Sequence, residues 1–192
     1  MSTIIDTVTI EDFKAKFVRN FKYLPVWLSI VDYFIGDKVF YNVNSKFYIA
    51  KTNNVDSIPP SNPLDWGITN DNKLLYISDA EIQSALDSAK CLFNTSLCFS
   101  SDCFAINTFL LLVAHELNNA INGAGMQADA GMYESSRKVG NVAQGFSIPP
   151  FMLEDSFWLY YRSSKYGIDY ATLMRPLFSL ASFGRVDTKT RI

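Results

Sequence analysis

Phe13, Phe17 and Phe21 recur every four residues and draw one apolar stripe along a helix. Thr9 stands at the start of that helix as its cap, with Glu11 and Asp12 in the first turn to complement the dipole, and Pro25 ends the pattern. Met1 to Val8, ahead of it, reads as an extended arm. Between about 26 and 70 the period changes. Val39-Phe40-Tyr41 and Lys46-Phe47-Tyr48-Ile49-Ala50 are strand-type runs around a turn at Asn42-Val43-Asn44-Ser45. A loop holding Pro59, Pro60 and Pro63 then leads to Trp66, and the whole stretch reads as a small β module.

The helical period returns at Ser78. Ser78-Asp79-Ala80-Glu81 has the spacing of a capping box, and Ile82, Ala85, Leu86, Ala89, Leu92 and Phe93 follow on one face, which predicts a helix from 78 to about 94. Asp102 caps a third helix that runs to about Ile121 and ends near Gly123. Its middle, Phe109 to Ala114, is apolar on every face, as in a helix at the centre of a core or of an oligomer interface. Gly123 to Gly131 is a small-residue loop. Gly140-Asn141 between Ser135–Val139 and Val142–Gln144 predicts a hairpin over about 135–148. A fourth helix is expected from Leu153 to Ser163, an interruption at Tyr166-Gly167, and a further helix from Ile168 to Arg175 that stops before Pro176. The expected fold is mainly α: a bundle of four to five helices built from 1–25 and 71–175, the hairpin, the inserted β module at 26–70, and an extended tail over 176–192 that orders on a partner.

Composition narrows the function classes. The 192 residues are 48% apolar and 19% charged, enough for a core and too hydrophobic for global disorder. A net charge of −2 gives no electrostatic footprint for nucleic acid. The longest apolar run is far short of a bilayer span, and the opening residues lack the pattern of a signal peptide, so a cytoplasmic setting and no membrane partner are expected. Three unevenly spaced cysteines, Cys91, Cys98 and Cys103, read as reduced thiols.

The catalytic signals are poor. His115-Glu116 opens like a zinc-protease helix, but the second histidine of that motif is replaced by Asn119, and His115 is the chain's single histidine. Neither a nucleophile elbow, a phosphate loop nor a dinucleotide fingerprint is present, and no spacing selects a carboxylate pair. The expectation is a protein without catalytic residues, metal or cofactor, with His115 making a hydrogen bond within the bundle or lying at a subunit contact. Phe157, Trp158, Tyr160 and Tyr161 read as core or interface aromatics.

Five blocks, in order, resemble the adaptor-like head–tail connector family of tailed bacteriophages. They are Ile10 to Phe17, Ile77 to Ala89, Leu112-Val113-Ala114-His115-Glu116-Leu117, Ser136 to Gly145, and Ser164-Lys165-Tyr166-Gly167 with Tyr170 to Arg175. Together they hold about a quarter of the chain's residues, spread in the expected order from position 10 to position 175. The chain departs from the family in its insert and in Val18, where a proline commonly follows. Gly36-Asp37-Lys38-Val39-Phe40-Tyr41, Phe47 to Lys51, and Pro59-Pro60 through Trp66 resemble small β modules of chitinases and phage tail proteins, in which exposed aromatics stack on sugars. By that likeness Tyr48 and Trp66 are candidates for a contact surface; a module this small, however, needs both rings in its core.

The connector resemblance implies a virion structural protein, made in the host cytoplasm and placed at the head–tail junction. About twelve copies would form a ring, each touching the next through different surfaces. The tail, with Pro176, Leu177, Phe178, Leu180, Phe183 and Arg185, would dock on the portal protein. The hairpin, with Arg137, Lys138, Val139, Gly140, Asn141 and Val142, would meet a neighbouring copy or a tail or stopper protein. The insert would face a collar, fibre or decoration protein, and genomic DNA would pass through the lumen without sequence readout. A tail-terminator, stopper or collar protein is the first alternative; a glycan-binding attachment protein acting through residues 26–70 is the second.

Overall fold

Thr9 and Asp12 lock the start of a helix by reciprocal hydrogen bonds: the Thr9 side chain accepts from the Asp12 amide, and the Asp12 carboxylate accepts from the Thr9 N–H at 2.9 Å. In the computed structural model, which describes residues 2–97, 99–123, 136–139, 142–145 and 149–183, this is α2 (Ile10–Lys16). The helix stops earlier than the phenylalanine stripe suggests, at Lys16, yet Phe13, Phe17 and Phe21 remain together, with ring centroids 5.0 to 6.0 Å apart. The expected extended arm is in fact helical: α1 (Ser2–Asp6) buries Ile5, and Val8 follows it into the core. Burial of these two side chains, about 2 kcal/mol each, favours the turn that brings both inward.

The protein is mainly α with a small β part, and it divides into two compact units: Met1–Phe21 with Ala80–Ile192, and Lys22–Asp79. In the helical unit α3 (Asp79–Leu92) buries Ile82, Ala85, Leu86 and Ala89 on one face. Leu92, expected on that face, ends the helix exposed, while Phe93 turns in to stack on Phe99 at 5.3 Å. Next comes α4 (Asp102–Gly123), whose Phe109, Leu112, Val113, Ala114 and Leu117 are all fully buried. This burial on several faces makes α4 the central element. The hairpin pairs β6 (Ser136–Val139) with β7 (Val142–Gly145), Val139 opposite Val142.

The expected fourth helix is broken into α5 (Phe151–Glu154), α6 (Ser156–Leu159) and a 3-10 turn, Tyr160–Ser163. Asp155 breaks it, because its extended backbone ends one helix while its carboxylate accepts from the Phe157 N–H at 2.9 Å and caps the next. The last helix, α7 (Lys165–Phe183), corrects two expectations: Gly167 does not interrupt it, and Pro176 lies inside it. Residues 176–183 are therefore helix rather than extended tail. An internal proline removes one helical hydrogen bond and costs about 3 kcal/mol. Continuing the helix brings Phe178 against Phe157 and Trp158, at 5.6 and 5.7 Å between centroids, and half-buries Leu177, which offsets that cost.

The β unit is built on β2 (Lys38–Tyr41), β3 (Lys46–Ala50) and β5 (Trp66–Thr69), an antiparallel sheet in the order β2-β3-β5. A second ribbon pairs β1 (Asp32–Tyr33) with β4 (Asn54–Val55). Tyr33, Val39, Tyr48, Ala50 and Trp66 form its core. The unit reaches beyond 26–70 at both ends because they pair with each other: Ile77 N–H donates to Lys22 O, and Leu24 N–H to Ile77 O, both at 2.8 Å. Entry and exit thus lie side by side, the arrangement a folded insert requires.

Candidate functional site

Polar chemistry in the helical unit converges where α4 meets the start of α7. His115 is fully buried among apolar neighbours on α4, and its imidazole lies 4.9 Å from the Tyr160 ring and 5.5 Å from that of Tyr161. Ser164, also fully buried, is 2.7 Å from Nδ1. Its Oγ accepts from the Gly167 N–H at 3.0 Å and so caps α7. Asn119 Nδ2 donates to Nε2 at 3.1 Å, while Asn119 Oδ1 accepts from Ser163 Oγ at 2.8 Å. With the amide held this way, Nε2 is the acceptor and Nδ1 carries the proton toward Ser164. Burial lowers the His115 pKa to about 4, so the ring is neutral at pH 7.

Gly167 is fixed by the same joint. A Cβ there would lie 2.1 Å from the Tyr161 carbonyl oxygen and 2.6 Å from His115 Nδ1, so only glycine lets α7 approach the imidazole this closely. Of the two settings the sequence allows for His115, the bundle and a subunit contact, the structure shows the first, with Ser164 and Asn119 as the partners that no local pattern names. The nearest signal is the Ser164-to-Gly167 spacing, a cap hydroxyl three residues before a glycine.

The arrangement resembles neither a protease metal site nor a hydrolytic dyad. Asn119, at the position of the missing second histidine, is a hydrogen-bond partner of the ring. Glu116 points elsewhere and accepts from the Tyr160 hydroxyl at 2.7 Å. Burial raises the pKa of this carboxyl, and the Tyr160 bond opposes the shift. The His115–Ser164 pair is enclosed and links α4 to the start of α7. Among the described residues no group of three or more His, Cys, Asp or Glu side chains is placed to hold a metal ion, and no helix is long and apolar enough to cross a membrane.

The candidate contact residues fall in three places. Tyr48 and Trp66 are buried, at 4% and 2% exposure, and are no contact surface. Trp66 packs edge-on to Tyr33 at 5.3 Å, and its Nε1 donates to the Ser57 carbonyl at 2.9 Å. Tyr48 lies in the same core, its hydroxyl accepting from Asn44 at 2.7 Å. A module with so few strands fills its centre with its aromatic rings, and Tyr33 joins Tyr48 and Trp66 there. Among its exposed apolar side chains, Ile30, Phe34, Ile35 and Val55 lie on and beside the β1–β4 ribbon, each more than half exposed, a group that the strand pattern did not reveal.

The hairpin residues Arg137, Lys138, Val139 and Val142 lie in paired strands, Arg137 opposite Gln144 and Lys138 opposite Ala143; Gly140 and Asn141 lie outside the described residues. Pro176, Leu177, Phe178, Leu180 and Phe183 belong to α7, whereas Arg185 lies outside the described residues. Beside Phe178, the α5–α6 segment presents Leu153 and Phe157, both more than half exposed, and Arg175 lies over the Phe151 ring at 4.5 Å. This is an apolar and aromatic face with a cation at its edge, a composition common at protein–protein contacts.

No family model, curated protein or solved structure matches the chain.

Proposed function

We propose that the chain is a subunit of a head–tail connector ring in a tailed bacteriophage, a virion structural protein rather than an enzyme. The observation that carries the reading is the joint at His115. The blocks that resemble the connector family are far apart in sequence, and three of them pack on one another. His115 of the third block bonds Ser164 of the last, Gly167 of the last abuts His115, and Phe17 of the first lies edge-on to Tyr166 at 5.4 Å. Residues that serve only as isolated resemblances in the sequence therefore act together as one core.

In this reading the helical unit builds the ring wall. The apolar face formed by Leu153, Phe157 and Phe178 is the surface for the portal, and the hairpin meets a neighbouring copy or the next tail component. The β unit turns its Ile30, Phe34, Ile35 and Val55 patch toward a collar, fibre or decoration protein. DNA passes through the lumen without sequence readout, which suits a chain whose net charge of −2 does not hold phosphates by counterion release. Burial of Tyr48 and Trp66 weighs against the glycan-binding alternative, because neither ring is free to stack on a sugar.

Co-sedimentation of the purified chain with assembled portal rings of its own phage tests the proposal. Saturable binding, weakened by Phe157→Asp, is expected. Absence of binding to both isolated portals and DNA-filled heads overturns it.

A further inference from the structure

A groove of about 280 Å³ runs between α3 and α4. Its lining is small: Ala85 is buried on the floor, and Ser84, Ser88 and Ala120 are exposed along its sides. Each helix adds a carboxylate, Glu81 from α3 and Glu116 from α4. The volume equals about nine waters, or a short stretch of extended peptide. Glu116 spends one hydrogen bond on Tyr160, and a carboxylate has capacity for more.

The complement is in the chain itself. Residues 184–192 read Gly-Arg-Val-Asp-Thr-Lys-Thr-Arg-Ile, three cations against one acid. They also alternate: Arg185, Asp187, Lys189 and Arg191 fall on one side of an extended peptide, and the β-branched Val186, Thr188, Thr190 and Ile192 on the other. A peptide of this pattern offers cations to Glu81 and Glu116 while its β-branched side meets the small-residue lining.

We infer that the α3–α4 groove receives residues 184–192 of a second copy of this chain. Its own copy is the less direct donor. α7 starts beside the groove, where Ser163 bonds Asn119, and runs 19 residues to Phe183, which carries the chain about 27 Å from its first residue. Nine further residues span at most about 30 Å, so the segment would have to fold straight back along its own helix to return only its tip. An adjacent copy needs no reversal. A donor surface and a different acceptor surface on each copy make a heterologous contact, which closes a ring when the rotation allows. The inference concerns only contact between copies and does not rest on the connector reading; it leaves the portal to the helical part of α7.

Disulfide trapping tests it. A Ser84→Cys chain is mixed at high concentration with a Thr188→Cys chain, oxidised, and the 84–188 bond is sought by peptide mapping, so the native Cys91, Cys98 and Cys103 need no replacement. Circular dichroism first checks that each variant is folded. A Leu74→Cys chain, exposed in the other unit, measures random collision. The mixed 84–188 dimer is expected to form well ahead of the 74–188 control and to disappear when Arg185, Lys189 and Arg191 are changed to Glu. Formation no faster than the control, persistence after charge reversal, or closure within one doubly substituted chain where the mixture forms no dimer would overturn the inference.

Discussion

Ser164 Oγ lies 2.7 Å from His115 Nδ1 and 3.0 Å from the Gly167 amide nitrogen, so one hydroxyl both caps α7 and fastens it to α4. Ser164→Ala removes a helix cap and leaves a buried N–H of the imidazole without its acceptor. Loss of about 2 to 3 kcal/mol of stability is expected. Urea denaturation followed by far-ultraviolet circular dichroism measures it; an unchanged midpoint would show that the hydroxyl holds nothing.

Two glycines should respond in opposite measure to the same substitution. Gly167→Ala puts a methyl group 2.1 Å from a backbone oxygen, which cannot yield cheaply, and should cost 3 kcal/mol or more, about the upper end of overpacking effects. Gly36 has φ +96 with open space around it, so Gly36→Ala should cost only about 1 kcal/mol, the strain of the left-handed backbone. Thermal melts of the two variants give the comparison.

His115 makes stability depend on pH. Its folded pKa, about 4, is below the ordinary 6.5, so the unfolded chain binds a proton that the folded chain refuses between these values. The stabilisation is complete above pH 6.5 and is lost as pH falls toward 4, amounting to about 3 kcal/mol. Neighbouring Glu116 acts in the opposite sense, since its carboxyl pKa is raised. Denaturation series for the wild type and His115→Gln between pH 7 and 4.5 cancel that contribution. The wild type should lose more stability than the variant over this range. Nitrogen-15 spectra should report a neutral ring with Nδ1 protonated at pH 6.

Trp66 should behave as core. Trp66→Ala removes the ring packed on Tyr33 and its bond to Ser57, at a cost of about 3 to 5 kcal/mol. Proteases should then cut within residues 22–79, and sugar oligomers should leave the fluorescence of the wild-type chain unchanged. A folded Trp66→Ala chain that loses glycan binding would restore the stacking platform.

Elements with a strong period were legible in the sequence. The apolar face of α3, the all-round apolar middle of α4 and the strands around Asn42–Ser45 announce themselves, because burial acts on whole faces. Where one residue decides a boundary, the pattern misled. Asp155 splits a helix that reads as continuous, and Pro176 is carried inside a helix because Phe178 gains Phe157 and Trp158 beyond it. Nothing local to position 176 encodes that gain. The ends of the β unit escape the pattern for the same reason: the pairing of Lys22 and Leu24 with Ile77 joins residues more than fifty positions apart.

The candidate site shows the same division. One histidine in a helix sets an expectation of a hydrogen bond within the bundle or a place at a subunit contact, but the acceptor, Ser164, is 49 residues away and is chosen by the packing of α7. Tyr48 and Trp66 carry a likeness to sugar-stacking rings, and the size of the module decides against it.

The most direct test of the connector proposal is imaging of the chain bound to its own phage's portal. A closed ring of copies capping the portal is expected, with the helical unit in the wall and the face of Leu153, Phe157 and Phe178 against the portal. Portals that stay bare in the presence of excess folded chain, or a chain found only at the distal tail, would contradict it.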